Sequence, residues 1–291
     1  MNLPVGFHKD IPFEQYLALP QLSQSSLKAM WRSPAHYLEA IITPPEETDR
    51  QRLGTLFHCC LLTPKTFKAH YKLMPDFAKG LTDDKGKLYS NPRNTNKYRA
   101  MVEEWRAMNP GVKEITAEEM ETVTGMRDAC LRHPDVSILL AESQDKELTM
   151  IWEENGVEWK GRVDADSEFF RTLIDFKMTD DARPERFAKK IKEFNYHWQG
   201  ERYLTGAQLL GRERPYFTLV AVEDKKPHGI FVYRLKPDAI ELAHQQIEKV
   251  ISQYQACRRN NIWPGYPTGL VEIGLSSWDE RSIMASLESN Q

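Results

Sequence analysis

Two aspartates and a lysine at strand-like spacing are the residues of this chain best suited to chemistry. Asp164 precedes Asp175 by eleven positions, and Lys177 follows Asp175 after the single residue Phe176. Alternate side chains of a β-strand share a face, so Asp175 and Lys177 are expected to lie roughly 7 Å apart, with Phe176 on the opposite face. Unpaired charges are costly to bury among leucine, isoleucine and phenylalanine side chains. The pattern therefore predicts a compensating cation, and a divalent metal ion is a good candidate.

A β-hairpin is predicted directly before this strand. Residues 147–154 and 157–166 carry strand-forming side chains and flank Asn155-Gly156, a dipeptide typical of a two-residue hairpin turn. Such a turn fixes the register of the two strands. Trp152 is therefore expected opposite Trp159, as an aromatic cross-strand pair.

The same register predicts a third carboxylate for the site. Glu147 is expected opposite Asp164, at the end of the hairpin away from the turn. Glu153 would instead face Glu158 near the turn, about 20 Å away at the rise of a strand. Glu147 is therefore the better candidate.

This set of side chains suits metal-dependent hydrolysis of a phosphodiester. Carboxylates hold Mg²⁺ through hard oxygen ligands, and the metal polarises the phosphate and activates a water. A lysine ammonium can position that water or stabilise the developing charge. The sequence contains no Walker loop, no GxSxG motif and no HExxH motif.

Two predicted helices carry further candidates. His58 lies in a helix expected over residues 49–62, and Gln199 and Tyr203 share one face of a helix expected over residues 197–210. For a lone helix histidine a structural role is the more common one. For the glutamine and tyrosine, a local hydrogen-bonded pair is the alternative to a functional role.

Composition places the chain among globular proteins. Its 291 residues are 41% hydrophobic and 28% charged, with a net charge of −3. That charge argues against indiscriminate coating of nucleic acid, although local basic segments at residues 79–99 and 183–192 could contact it. Residues 75–96 are predicted to form a long basic surface loop, either a nucleic-acid contact or a plain insertion.

No membrane or secretory segment is evident in the sequence. No apolar run approaches the ~20 residues that span a bilayer, and the first residues lack a signal-peptide pattern. A cytoplasmic protein is expected. The four cysteines form no CxxC pair and are expected to be reduced.

A single α/β domain over residues 1–291 is the most economical organisation. We expect a mixed central β-sheet flanked by helices. Residues 1–145 would be mainly helical, residues 146–236 would hold the catalytic sheet and its helices, and residues 237–291 a long helix and a tail. The tail, which begins near residue 261, is rich in glycine, proline and aromatic residues and is expected to pack back as irregular structure.

The order of these motifs resembles the PD-(D/E)xK nuclease superfamily, with its restriction-endonuclease-like core. More narrowly it is similar to the branch that contains the RecB and exonuclease VIII (RecE) nuclease domains. The motifs are His58 on a helix, Glu147, Gly161-Arg162-Val163-Asp164, Asp175-Phe176-Lys177-Met178-Thr179 and Gln199-x-x-x-Tyr203. The early segments SQSSLKAMWRSPAHYLEA and RLGTLFHCCLLTP resemble the opening helices of RecE-like phage and prophage exonucleases, so the likeness extends from about residue 13 to residue 266.

The resemblance implies a role for each matching residue. Metal ligands would be Asp164, Asp175, His58 and the backbone carbonyl of Phe176, and Lys177 would be the catalytic lysine. Glu147 matches the acidic residue at the head of the first strand, and its contact with the metal is left open. A supporting or DNA-contacting role is implied for Gln199, Tyr203, Arg162 and Thr179.

The resemblance also implies an activity. It predicts a DNA exonuclease that uses Mg²⁺, with Mn²⁺ as a substitute, and that resects the ends of linear double-stranded DNA from 5′ to 3′. The implied partners are a RecT-type single-strand annealing protein and further copies of the chain in a homo-oligomeric ring. The alternatives are a structure-selective endonuclease on the same core, and a non-catalytic DNA-binding recombination module.

The chain departs from the superfamily pattern in places. Val163 stands where a proline is usual before the first aspartate, and Met178 stands where a threonine is usual after the lysine. The iron–sulfur cysteines of some related nucleases are absent from the sequence. Because Asp164, Asp175 and Lys177 are all present, the non-catalytic alternative is disfavoured.

Overall fold

A six-stranded mixed sheet forms the centre of the computed structural model, which describes residues 3–288. Its strand order is β1-β4-β5-β6-β7-β8, with β6 and β7 parallel and the other neighbours antiparallel. A separate two-stranded parallel sheet joins β2 and β3. The strands are β1 (Gly6–His8), β2 (Tyr71–Leu73), β3 (Lys113–Ile115), β4 (Asp145–Glu154), β5 (Val157–Ser167), β6 (Thr172–Thr179), β7 (Tyr216–Glu223) and β8 (Ile230–Arg234).

Helices cover both faces of the sheet. They are α1 (Phe13–Leu17), α2 (Gln24–Arg32), α3 (Pro34–Ile42), α4 (Asp49–Leu62), α5 (Pro64–His70), α6 (Asn96–Met108), α7 (Ala117–Arg132), α8 (Pro134–Ala141), α9 (Pro184–Glu193), α10 (Tyr196–Leu209), α11 (Pro237–Asn260) and α12 (Ser277–Glu288). One apolar core joins α2, α10 and α11 to the sheet, and a second joins α4, α7 and α8 to its other face. The expected mixed sheet flanked by helices is confirmed.

The β4–β5 hairpin forms in the predicted register. Asn155 and Gly156 take the left-handed backbone that a two-residue turn requires, with φ of 53° and 74°. Trp152 lies opposite Trp159, and their rings stack with centroids 6.0 Å apart. At the end away from the turn both strands extend beyond the predicted ranges, and Asp164 lies within β5.

Local backbone signals explain most helix boundaries. Thr48 caps α4 and Thr116 caps α7, each through a reciprocal pair of hydrogen bonds with the residue three positions later. Helix α4 occupies the predicted range. Most of residues 75–96, predicted to be a loop, is irregular. The exceptions are a 3-10 turn at Pro92–Asn94, one isolated bridge between Thr82 and Leu88, and Asn96, which begins α6.

The N-terminal and C-terminal parts differ from expectation. β1 adds a strand from the mainly helical part to the edge of the sheet, beside β4. In the tail, Trp263 packs back by stacking on Tyr37, as predicted. Beyond it the prediction is wrong, because α12 is helical and the preceding residues are exposed, Leu270 at 94% and Ile273 at 95%. Their apolar side chains meet no complementary surface within residues 3–288.

None of the helices between residues 3 and 288 combines the length and the apolar character that a bilayer crossing requires.

The packing of α10 against the hairpin generates a stability prediction. A Cβ at Gly206 would lie 2.9 Å from ring carbons of Trp152, whose ring is fixed by its stack on Trp159. We expect Gly206→Ala to lower the free energy of unfolding by about 1–3 kcal/mol, because the rings must shift. Gly54→Ala in α4 is the matched control, since a Cβ there meets nothing within 4 Å.

The control should raise the free energy of unfolding by roughly 0.5–1 kcal/mol, through helix propensity. Denaturant unfolding of both variants measures the two values. Equal stabilisation by the two substitutions would contradict the packing argument.

Candidate active site

The two strands that carry Asp164 and Asp175 part at those residues. The β5–β6 ladder pairs Ala165 with Ile174 and continues to Ser167, but it does not reach Asp164 and Asp175. Backbone hydrogen bonds that a continuing ladder would use are therefore free for side chains. The Asp164 carboxylate takes one of them, because its Oδ2 accepts a 2.7 Å hydrogen bond from the Phe176 N–H.

The β4–β5 ladder also skips Asp164. Lys146 pairs with Ala165 and Leu148 pairs with Val163, while Glu147 between them takes a left-handed backbone with φ of 53°. A non-glycine residue in that region carries a backbone cost of about 1–3 kcal/mol. The kink brings the Glu147 carboxylate into the site.

Helix α4 places His58 against these strands. His58 Nδ1 lies 3.3 Å from Asp164 Oδ1, and Nε2 lies 2.9 Å from the carbonyl oxygen of Phe176. The candidate ligand atoms of His58, Glu147 and Asp164 all lie within 4.8 Å of one another. The structure therefore brings together His58, Asp164 and the Phe176 carbonyl, the ligands that the resemblance implies, with Glu147, the third carboxylate that the hairpin register predicts.

Asp175 and Lys177 form the other half of the site. Lys177 Nζ lies 2.6 Å from Asp175 Oδ2, and Gln199 Nε2 of α10 donates a 2.6 Å hydrogen bond to Asp175 Oδ1. Tyr203, one turn further along α10, accepts a 3.4 Å hydrogen bond from the backbone N–H of Arg162. The Gln199 and Tyr203 pair thus ties α10 to both site strands.

Arg162 and Thr179 lie differently from the other predicted residues. The Arg162 side chain is 13% exposed and forms an ion pair with Glu147, so it supports the site from behind. Thr179 lies at the end of β6, where its hydroxyl donates to the Asp181 carbonyl at 3.0 Å and accepts from Lys190. The structure does not bring Thr179 to the carboxylates.

Burial and like charge set the electrostatics of the site. Burial raises the pKa of Asp175 to about 6; the Lys177 ammonium opposes that rise and the Asp164 carboxylate adds to it. For Asp164, burial acts to raise the pKa, but the His58 imidazole outweighs it and lowers the pKa. Burial also acts to lower the pKa of Lys177, yet Asp175 holds it above its usual value, so the ammonium stays charged.

The pKa of His58 is also raised. Burial alone would lower the pKa of His58, but the Asp164 carboxylate raises it to about 9, with help from Glu147 and Asp175. Both ring nitrogens face oxygen acceptors, which is the arrangement of an imidazolium. In the metal-free protein this proton partly balances the buried carboxylates.

The donor set fits a divalent cation. Carboxylate and carbonyl oxygens with one imidazole match the ligand preferences of Mg²⁺ and Mn²⁺. The geometry also fits, since the candidate ligand atoms of His58, Glu147 and Asp164 are close enough together to share one ion. The residues that could hold such an ion are His58, Glu147, Asp164, Asp175 and the Phe176 carbonyl.

Two residues near Lys177 have no counterpart among the sequence predictions. The Lys177 ammonium lies 4.6 Å from the centroid of the Tyr196 ring, a cation–π contact at the start of α10. Burial lowers the pKa of Lys28 in α2 to about 8, and the nearby charge of Lys177 adds to that shift. Lys28 lies in the segment that resembles the opening helices of RecE-like exonucleases, but nothing in the sequence gave either residue a role at the site. Only the packing of α2 and α10 over β6 locates them there.

The comparisons with known proteins point to a nuclease fold. A family profile described as "PDDEXK-like domain of unknown function (DUF3799)" matches residues 23–273. A crystal structure from Eubacterium rectale, described as "Putative exonuclease", has a TM-score of 0.60 at 12% identity, with 94% of this chain and 98% of that chain covered. At that identity the likeness shows a shared fold.

A second structure, SSO0001, has 16% identity over 54% of this chain and 87% of its own, with a TM-score of 0.26, too low to carry an argument. No protein of curated function matches the chain.

The raised pKa of His58 predicts a pH-dependent metal affinity. A metal ligand must be neutral imidazole, so each bound ion displaces the His58 proton at neutral pH. Because the pKa is about 9, Mn²⁺ affinity should rise about tenfold per pH unit between pH 6.5 and pH 8.5. Isothermal titration calorimetry in buffers of different ionisation enthalpy measures both the affinity and the released proton.

His58→Gln is the control, because an amide has no proton to release in this range. It should bind Mn²⁺ more weakly at pH 8.5 and with little pH dependence. A wild-type affinity that stays constant over the range would remove His58 from the ligand set.

Proposed function

The chain belongs to the PDDEXK-like family DUF3799 within the PD-(D/E)xK superfamily, and from this membership we propose that it is a divalent-metal-dependent nuclease that degrades linear duplex DNA from its ends. The proposal says more about the activity than membership of a nuclease family does. It names the metal chemistry, the polymer and the mode of attack.

One observation carries the catalytic part of the proposal. Three carboxylates, a histidine and a lysine converge where β5 and β6 part, on a floor of strands closed by α4 and α10. Buried titratable groups with shifted pKa values cluster at functional sites. Asp175 is such a group, because burial raises its pKa to about 6.

A divalent ion at this site, when bound, would polarise the scissile phosphate and assist attack by water. Asp164 and Asp175 would hold it, with the Phe176 carbonyl and neutral His58 as further donors. The Phe176 N–H fixes one oxygen of Asp164, and Gln199 fixes one oxygen of Asp175, so neither carboxylate has to reorganise.

Lys177 supplies the positive charge on the substrate side. Its ammonium lies 2.6 Å from Asp175 and over the Tyr196 ring, which limits its rotamers. From there it can orient the attacking water and stabilise negative charge as it develops on the phosphate. A preorganised ammonium needs no rearrangement during the reaction.

The surface beside the site supports a nucleic-acid substrate. Helix α9 and its N-cap follow β6 and present the exposed basic side chains of Arg183, Arg186 and Lys189, the first two of which share the carboxylate of Asp181. Lys28 adds a second ammonium beside Lys177. Such a local basic surface attracts phosphates even though the whole chain is acidic.

The finer features rest on the resemblance to RecE-like nucleases. These are Mg²⁺ as the resident ion, 5′ to 3′ resection, a RecT-type annealing partner and a homo-oligomeric ring around DNA. The N-terminal helices and the QxxxY helix motif support that branch over others of the superfamily. The two alternatives are a structure-selective endonuclease and a non-catalytic module, and the assay distinguishes both from the exonuclease.

The test compares linear with covalently closed circular duplex DNA, in Mg²⁺ and in EDTA. We expect degradation of the linear form alone, and only with the metal. Lys177→Ala should reduce the rate by about 100-fold or more, because it removes a charge aimed at the developing phosphate charge. DNA binding in Ca²⁺ should be retained, since the metal ligands remain.

Lys249→Ala is the matched control, at an exposed lysine of α11 outside the carboxylate site, and it should leave the rate unchanged. Cutting of the circle would favour the endonuclease. Binding without cleavage of either form would favour the non-catalytic module.

A further inference from the structure

An N-terminal arm, residues 3–22, lies on the hairpin beside the candidate metal site. It precedes the region matched by the family profile, which begins at residue 23. β1 pairs with β4, and Leu22 exchanges backbone hydrogen bonds with β5 at Glu158 and Lys160, at 3.0 and 2.8 Å. The arm is therefore fastened to both strands of the hairpin.

Two cations of β5 hold the middle of the arm. The Lys160 ammonium donates to the carbonyls of Tyr16, Leu17 and Leu19 at 3.1, 2.9 and 2.7 Å, which uses all three of its protons. Two positions further along the same face, Arg162 Nη1 donates to the Ile11 carbonyl at 2.7 Å.

Aromatic rings of the arm cover the Arg162 guanidinium. Its carbon lies 5.9 Å from the centroids of both Phe13 and Tyr16. These rings shield the guanidinium from water on the outer side, so its remaining interactions are strengthened. Arg162 is consequently 13% exposed although it lies near the rim of the sheet.

The same guanidinium also binds Glu147, through its Nε. Arg162 Nε donates to Glu147 Oε2, and Nη1 lies 3.5 Å from the Thr149 hydroxyl. Glu147 is the residue whose left-handed backbone interrupts the β4–β5 ladder and whose carboxylate joins His58 and Asp164. An unfavoured backbone conformation persists only where its surroundings impose it.

We propose that Arg162 is a positioning residue that, held by the N-terminal arm, fixes Glu147 as a ligand of the metal site. The arm supplies an acceptor and an aromatic cover for one side of the guanidinium. The other side then presents a fixed donor to one carboxylate oxygen, which leaves the second oxygen of Glu147 for the cation. The site thus depends on a segment outside the family-matched region.

This inference rests on the proposed function for the identity of the ligand, a divalent cation. It also differs from the DNA-contacting role that the resemblance implies for Arg162. A DNA contact would change DNA affinity and leave metal affinity alone. A positioning role predicts the reverse.

The experiment measures Mn²⁺ affinity of the full chain by isothermal titration calorimetry, without DNA. Arg162→Met keeps the apolar stem and removes the donors, and it should weaken Mn²⁺ binding by about tenfold. Arg162→Lys should recover part of the loss, because it restores charge without the fork of donors. Glu147→Gln should lose a comparable amount.

The double variant Arg162→Met with Glu147→Gln separates positioning from a general effect on stability. If Arg162 acts through Glu147, the two losses are not additive, and the double variant binds Mn²⁺ about as weakly as Glu147→Gln alone. Additive losses would overturn the proposal, because they would show independent effects.

A variant in the arm tests the same link without altering β5. Phe13 is 40% exposed, so Phe13→Ala removes ring cover at little cost to folding, and it should weaken Mn²⁺ binding in the same direction by a smaller factor. Phe169→Ala, an exposed ring at the β5–β6 turn, is the matched control and should leave the affinity unchanged.

The possible failures are distinguishable. Wild-type protein that binds no Mn²⁺ would overturn both this inference and the proposed function. Wild-type binding with an unchanged affinity in Arg162→Met would overturn this inference alone. A fall in DNA affinity without a fall in Mn²⁺ affinity would return Arg162 to a DNA contact.

Discussion

Two carboxylates buried side by side, Asp164 and Asp175, are the constraint on which the rest of the structure depends. Both are nearly inaccessible, at 6% and 2% exposed, and each disfavours the charge of the other. Three of the elements around them bring groups that offset this repulsion. Helix α4 brings an imidazole, β6 an ammonium and a backbone N–H, and α10 an amide.

The topology of the sheet explains why α10 contributes side chains to the site. Because β6 and β7 are parallel, the chain must cross over one face of the sheet between them. Helices α9 and α10 make that crossover and return over the end of β6. Tyr196 thereby contacts Lys177 and Gln199 contacts Asp175, although each pair is far apart in the sequence.

Much of the site could be predicted because hairpin geometry is so restrictive. A two-residue turn at Asn155-Gly156 admits one register, which correctly pairs the two tryptophans and brings Glu147 near Asp164. The kink at Glu147 could not be predicted, because register counting assumes an unbroken ladder. The contacts of Arg162 with the N-terminal arm could not be predicted either. The only strand of that arm, β1, has three residues, which are too few for a recognisable pattern.

His58 shows the limit of local sequence in another way. Its helix could be predicted, but its contact with Asp164 depends on how α4 packs across the sheet, through Phe57 against Phe176. Only the resemblance to a known superfamily pointed to that contact. Lys28 lies in a segment that resembles RecE-like exonucleases, but no motif gave it a role, and its place beside Lys177 follows from tertiary packing alone.

The pairing of β1 with β4 has a consequence for synthesis of the chain. Residues 3–22 leave the ribosome well before Ile151, the partner of Gly6, has been made. Until then Tyr16 and Leu19 have no apolar surface to cover, and the strand edge of β1 is open to other chains. The nascent protein therefore exposes this arm during much of translation, and chaperones that bind extended apolar segments would have their main opportunity there.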